Sequence, residues 1–179
     1  VWAQGDDAID IDQAYSGTVD NVMVVLTAAS DHGLEIDGPE GSLAGSFTVK
    51  NVTIKGASKS GAALGVKGEI ADFRKAATGS LSNIYAFDFV ASKDVELDAD
   101  ADSASYTAGT LTFANWDIQY AGTATTLDKT FVDKSTVGST FSADASTFAE
   151  IVTAKKADAG ATDSEYEWTY WFANQGEHL

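Results

Sequence analysis

The chain has 179 residues, 44% of them hydrophobic, which suits one domain with a real core rather than a chain disordered overall. Its 27 acidic residues against 11 basic ones leave a net charge of −16, so nucleic acid and anionic membranes, which need Lys and Arg to displace counterions, are excluded as partners. There is no cysteine, hence no disulfide or thiolate metal site. No apolar run approaches the roughly 20 residues that span a bilayer, so no transmembrane segment is expected. The sequence opens with Val1 in what reads as mid-element, and the expectation is a part of a longer chain or of a larger surface complex.

The first element is "GDDAIDID" (5–12), with Asp6, Asp7, Asp10 and Asp12 set around Ala8, Ile9 and Ile11. Alternation of apolar and polar residues is the signature of a strand, because successive side chains leave on opposite faces. A second strand, "TVDNVMVV", follows around Asn21. The pair then recurs as "GLEID" (33–37) with "TVKNVTIK" around Asn51, as "ALGVK" (63–67) with "SLSNIYAF" around Asn83, and as "DVELD" (94–98) with "TFANWDIQ" around Asn115. The four asparagines stand 30, 32 and 32 residues apart. Ile9, Leu34, Leu64 and Val95 form one column, and Ile11, Ile36, Val66 and Leu97 another. "KGEIADFRKAATGS" (67–80) and "DADADSASYTAG" (98–109) are expected to project as loops.

Two strands per coil with matched columns predict a parallel β-helix, in which stacked coils bury a core that no coil can bury alone. A β-sandwich would explain the short strands but not the near-constant period. The asparagines then form an internal ladder or mark turn corners. After Tyr120 the repeat stops. A helix is predicted over 144–156, with Asp144 as N-cap, a stripe of Phe148, Ile151 and Val152, and Lys155 and Lys156 at its C-terminal end. "SEYEWTYWF" (164–172) alternates and predicts a strand. The coils are thus assigned to 1–122 and a capping region to 123–179.

Stacking places Glu35 over Asp10 and Asp37 over Asp12 on an outward face, with Glu96 and Asp98 farther along. Such carboxylates stay solvated, raise one another's pKa, or share a cation. No cofactor is required, but calcium, which takes six to eight hard oxygens, suits Asp10, Asp12, Glu35 and Asp37. "DADADS" (98–103) opens like a calcium loop, yet Ser103 replaces the turn glycine and Gly109 the closing glutamate, so an EF-hand is rejected. His32 has the pKa range of a general acid or base, or serves as a turn residue among carboxylates. Trp168 and Trp171 either pack on the last coil or offer a sugar-stacking platform.

"GDDAIDI" followed by "DHGLEIDGPEG" resembles the pattern of polygalacturonases, right-handed parallel β-helix enzymes with a Gly-Asp-Asp motif and, one coil on, a Gly-His-Gly motif. The likeness implies paired acid/base roles for Asp6 and Asp7 and an assisting role for His32. Asp31 replaces the first glycine of the histidine motif, and Gly65 stands where a substrate-binding arginine belongs, leaving only Lys67. Over most of its length the chain resembles secreted β-helix repeat proteins of Bacteroidota, in which acidic residues recur as part of the repeat; this implies an extracellular or outer-membrane surface setting and no particular reaction. The expected fold is all-β: a right-handed parallel β-helix of about four coils, the first incomplete, with a C-terminal cap holding a short helix and an aromatic strand. The expected function is non-catalytic, a surface binding or scaffold component with a glycan or protein ligand. The alternative is a fragment of a polysaccharide hydrolase or lyase using Asp6, Asp7, His32 and Lys67.

Overall fold

The structure is a computed structural model, and it describes residues 1–57, 66–167 and 169. Among the described residues, ten strands alternate between two all-parallel sheets. One contains β1 (Ile9–Ile11), β3 (Leu34–Asp37), β5 (Ala71–Arg74), β7 (Val95–Leu97) and β9 (Phe131–Asp133). The other contains β2 (Thr18–Val25), β4 (Phe47–Lys55), β6 (Gly79–Phe89), β8 (Leu111–Tyr120) and β10 (Ala149–Ile151). Each circuit of the chain adds one strand to each sheet, which is the winding of a β-helix.

The strands of the second sheet bend at the asparagines. Asn21, Asn51, Asn83 and Asn115 all have left-handed backbone, at φ 56°, 54°, 54° and 54°. The hydrogen-bonded register pairs Asp20 with Lys50 and then Val22 with Val52. In sequence the core-facing positions fall two before, one after and three after each asparagine, a change of parity that a straight strand cannot produce. One residue in the left-handed region resets the pleat, and asparagine tolerates that region better than most residues. The corner asparagines are half-buried or exposed rather than internal. Only Asn83 and Asn51 bond amide to amide, at 2.8 Å; Asn51 donates to Asp20 at 2.7 Å instead of to Asn21.

In the first sheet the register joins Ile9, Leu34, Ala71, Val95 and Phe131. This corrects the third coil. "EIADFR", assigned from sequence to a projecting loop, holds the strand that pairs with β3, whereas residues 63–65 of "ALGVK" fall in the stretch 58–65, outside the described residues. Both stretches alternate, but the true strand buries Ala71 and Phe73, and Phe73 meets Phe113 edge-on at 5.2 Å. An aromatic ring fills the space between the sheets far better than the small side chains of the other stretch.

The projecting loop expected over 98–109 is largely a helix, α1 (Asp100–Thr107). Its Asp102 is fully buried, accepting N–H bonds from Ala99 and from Ala77 of the neighbouring coil. The coils also run past residue 122: after the short α2 (Leu127–Thr130), β9 and β10 add a fifth strand to each sheet within the stretch assigned to the cap. The helix predicted over 144–156 is α3 (Phe141–Phe148), and it stops where β8 captures Ala149–Ile151 as β10. Asp144 is therefore a helical residue that accepts from Tyr106 Oη at 3.0 Å, not an N-cap. Phe141 and Phe148 lie over the core end against Phe113 and Phe131, with ring centroids 5.0–5.8 Å apart. The strand expected over 164–172 does not begin as one: residues 164–166 belong to a 3-10 turn, Asp163–Tyr166. Trp168 and Trp171 lie outside the described residues.

Candidate functional site

The outward face of the first sheet follows from its register. Asp10, Glu35, Asp72 and Glu96 are consecutive partners, so four carboxylates stack at the spacing of parallel strands, about 4.8 Å. Repulsion on this scale requires cations between the columns. Arg74, paired in register with Asp37, supplies one. Its guanidinium reaches Asp72 Oδ2 at 2.5 Å and Glu35 Oε1 at 2.8 Å, joining two coils. Lys75 holds Asp37 at 2.7 Å and also Glu40, and Lys134 pairs with Glu96.

His32 sits at the centre of this face, only 6% exposed. Its Nδ1 lies 2.6 Å from Asp7 Oδ1 and 3.2 Å from Glu35 Oε2, and its Nε2 lies 2.9 Å from Glu69 Oε2. The His32 backbone N–H donates to the same Asp7 oxygen at 3.0 Å. Asp31 and Asp72 stand 3.9 Å from the ring nitrogens. The ring is thus gripped by carboxylates from three successive coils. Gly68 closes the site: a Cβ there would come within 2.7 Å of His32 Nε2 and 2.4 Å of Asp31 Oδ1, so only glycine fits.

The titration pattern follows from burial and these charges. For His32 burial alone would lower the pKa, but the hydrogen bond and charge of Asp7, with Asp31 and Asp72, outweigh it and raise the value above 6.5. Glu35 is pushed up to about 7, by burial first and then by the charge of Asp7, with Arg74 and His32 opposing. Asp72, 2% exposed with Oδ1 lacking a hydrogen-bond partner among the described residues, is raised by burial despite Arg74. Asp7 is lowered: burial pulls upward, but the backbone and ring of His32 overcome it.

Of the four residues expected for an enzyme, the structure unites Asp7 and His32. Asp6 is exposed, and its backbone carbonyl accepts from the Asp31 N–H. Lys67 is exposed, outside the strand column, because β5 begins at Ala71. The calcium quartet does not converge: Glu35 is held by Arg74 and His32, Asp37 by Lys75, while Asp10 and Asp12 are exposed. Among the described residues, the groups whose ligand atoms do come within 4.8 Å of one another are Asp7–Asp31–His32 and Glu69–Asp94–Glu96. Glu69, Asp72 and Arg74 were missed because the third coil was read one strand too early. The alternation in "EIADFR" was the signal that would have found them.

The winding and the charged outward face can now be set beside known proteins. The sequence model for the pectate-lyase-like β-helix domain matches residues 1–173. The chain belongs to the pectate-lyase-like β-helix family. No match was found among curated proteins or among solved structures. Membership accounts for the parallel sheets and points to a polysaccharide-related protein; it does not choose between catalysis and binding. No helix among the described residues is long and apolar enough to cross a membrane.

Proposed function

We propose that the chain is a non-catalytic, polysaccharide-binding β-helix, a surface component rather than an enzyme. One observation carries this reading: both ring nitrogens of His32 are engaged by carboxylates, Nδ1 by Asp7 and Glu35 and Nε2 by Glu69. A buried imidazolium held in this way staples three coils together and has no nitrogen left to trade a proton with a substrate. Arg74, the other cation at the centre of the face, is equally occupied by Asp72 and Glu35. An extracellular or outer-membrane surface setting, with a glycan or a surface protein as partner, belongs to the same proposal and is supported by the repeat likeness.

The test is incubation of the protein with pectin, polygalacturonate and neutral polysaccharides, followed by assay for new reducing ends and unsaturated products. None is expected. Release of either, abolished by Asp7→Asn, would overturn the proposal.

A second reading is favoured by one specific pairing. Glu35, with a pKa near 7, stands beside Asp7, which stays ionised. Two carboxyl groups with separated pKa values are the arrangement of a glycoside hydrolase acid and its partner. In that reading Glu35 donates the proton and His32 orients both carboxyls.

A further inference from the structure

The asparagine corner of the second sheet is used in two ways along its length. Over the first three coils it is crossed by the segment 157–166. Gly160 N–H donates to Asn83 Oδ1 at 3.0 Å, and Asn83 Nδ2 returns a bond to the Gly160 carbonyl at 3.3 Å. Ala161 N–H reaches Thr53 Oγ1 at 2.9 Å, and Thr162 N–H reaches Asn21 Oδ1 at 2.8 Å. The corner thus offers amide and hydroxyl groups, one coil apart, to a polar ribbon lying across the strands.

At the fourth coil the ribbon no longer bonds to the corner, although its first residues, Asp158 and Ala159, border the space beside it. Asn115 is exposed, and its side chain makes no hydrogen bond among the described residues. It borders a cavity of about 640 Å³, whose walls include Asp117, Glu150, Lys156, Asp158 and Ala159. Lys156 is already shared between Asp117 and Glu150, at 2.8 Å from each. Asp158 is exposed and in no ion pair among the described residues.

We propose that this cavity binds a short stretch of neutral polysaccharide. The proposal rests on the polysaccharide-binding reading above and assigns it a place and a ligand class. The volume lies within the range of ligand pockets, about 300–1,000 Å³. Sugar hydroxyls both donate and accept, and an uncommitted amide beside an uncommitted carboxylate answers both needs. The corner already performs this recognition on the chain's own backbone three times. Uronates are disfavoured because the lysine bordering the cavity is neutralised by two carboxylates and the chain carries a net charge of −16.

The test is calorimetric titration of the whole protein with neutral oligosaccharides from cellulose, xylan and mannan, and with oligogalacturonate. Asn115→Gly removes the amide while keeping a residue at home at φ 54°, and Asp158→Ala removes the carboxylate from an exposed position. Binding of a neutral oligosaccharide that weakens about tenfold in each variant, with Asp10→Asn unchanged, is the expected result; tenfold is the loss of one good hydrogen bond. Binding that survives both substitutions overturns this site and leaves the general reading standing. Preference for oligogalacturonate overturns the ligand class. Failure of every polysaccharide to bind overturns the site and the reading together.

Discussion

Asp7 Oδ1 accepts twice from His32, from the ring at 2.6 Å and from the backbone N–H at 3.0 Å, across one step of the winding. This double contact fixes the sign of a pH dependence. The folded pKa of His32 is raised, so its contribution is complete below about 6.5 and is lost as pH rises through the higher folded value. Glu35 adds in the same direction, its contribution present below 4.5 and lost through about 7. Thermal melts should give a higher Tm at pH 5.5 than at pH 8, with the difference reduced in both His32→Gln and Glu35→Gln. A Tm that climbs steadily to pH 8 would contradict this.

Arg74 neutralises a buried carboxylate, and its loss should be expensive. Arg74→Met leaves Asp72 buried without its cation and is expected to cost about 3 kcal/mol in urea unfolding. The double variant Arg74→Met with Asp72→Leu should recover much of that loss, because the orphaned charge is gone. Recovery absent from the double variant would mean that Arg74 stabilises through its stem rather than its charge.

The corner asparagines should separate backbone conformation from hydrogen bonding. Asn83→Gly keeps the left-handed corner but removes the bonds to Asn51 and Gly160, an expected loss of about 1–2 kcal/mol. Asn83→Ala adds the strain of φ 54° to the same loss and should be worse by about 1 kcal/mol. Equal denaturation midpoints for the two variants would remove the conformational argument.

Gly160 makes a close approach at φ 68°, and a Cβ there would fall 2.3 Å from Thr53 Oγ1. Gly160→Ala is therefore expected to lift residues 160–162 from the corner. Hydrogen exchange should show faster exchange at Ala161 and Thr162, with the amides of β4 and β6 unchanged.

Chelation should be without effect on melting. Lys134, Arg74 and Lys75 already neutralise Glu96, Glu35 and Asp37. A Tm lowered by EDTA and restored by calcium alone would contradict this and turn attention to Glu69, Asp94 and Glu96, the all-oxygen group.

Much of the winding was legible because the asparagine column has no competitor: its apolar neighbours keep the same offsets in all four coils. The first sheet was harder to read. "ALGVK" and "EIADFR" share a two-residue period, and only the volume demanded by the facing Phe113 separates them. The same slip hid Glu69, Asp72 and Arg74, so an acidic face was foreseen but not its cations. The last coil was hidden for a different reason. Phe131–Asp133 and Ala149–Ile151 are as short as β1 and β7, but no corner asparagine and no matched column marks them in the sequence.

Thr162 bonds to a residue 141 positions earlier, so this tie to the first circuit cannot form until most of the polypeptide has been made. Contacts of such separation are entropically slow to close, and they come late in assembly. A nascent chain therefore leaves Asn21 to water, and its partner from the far end of the sequence arrives as the finishing stitch.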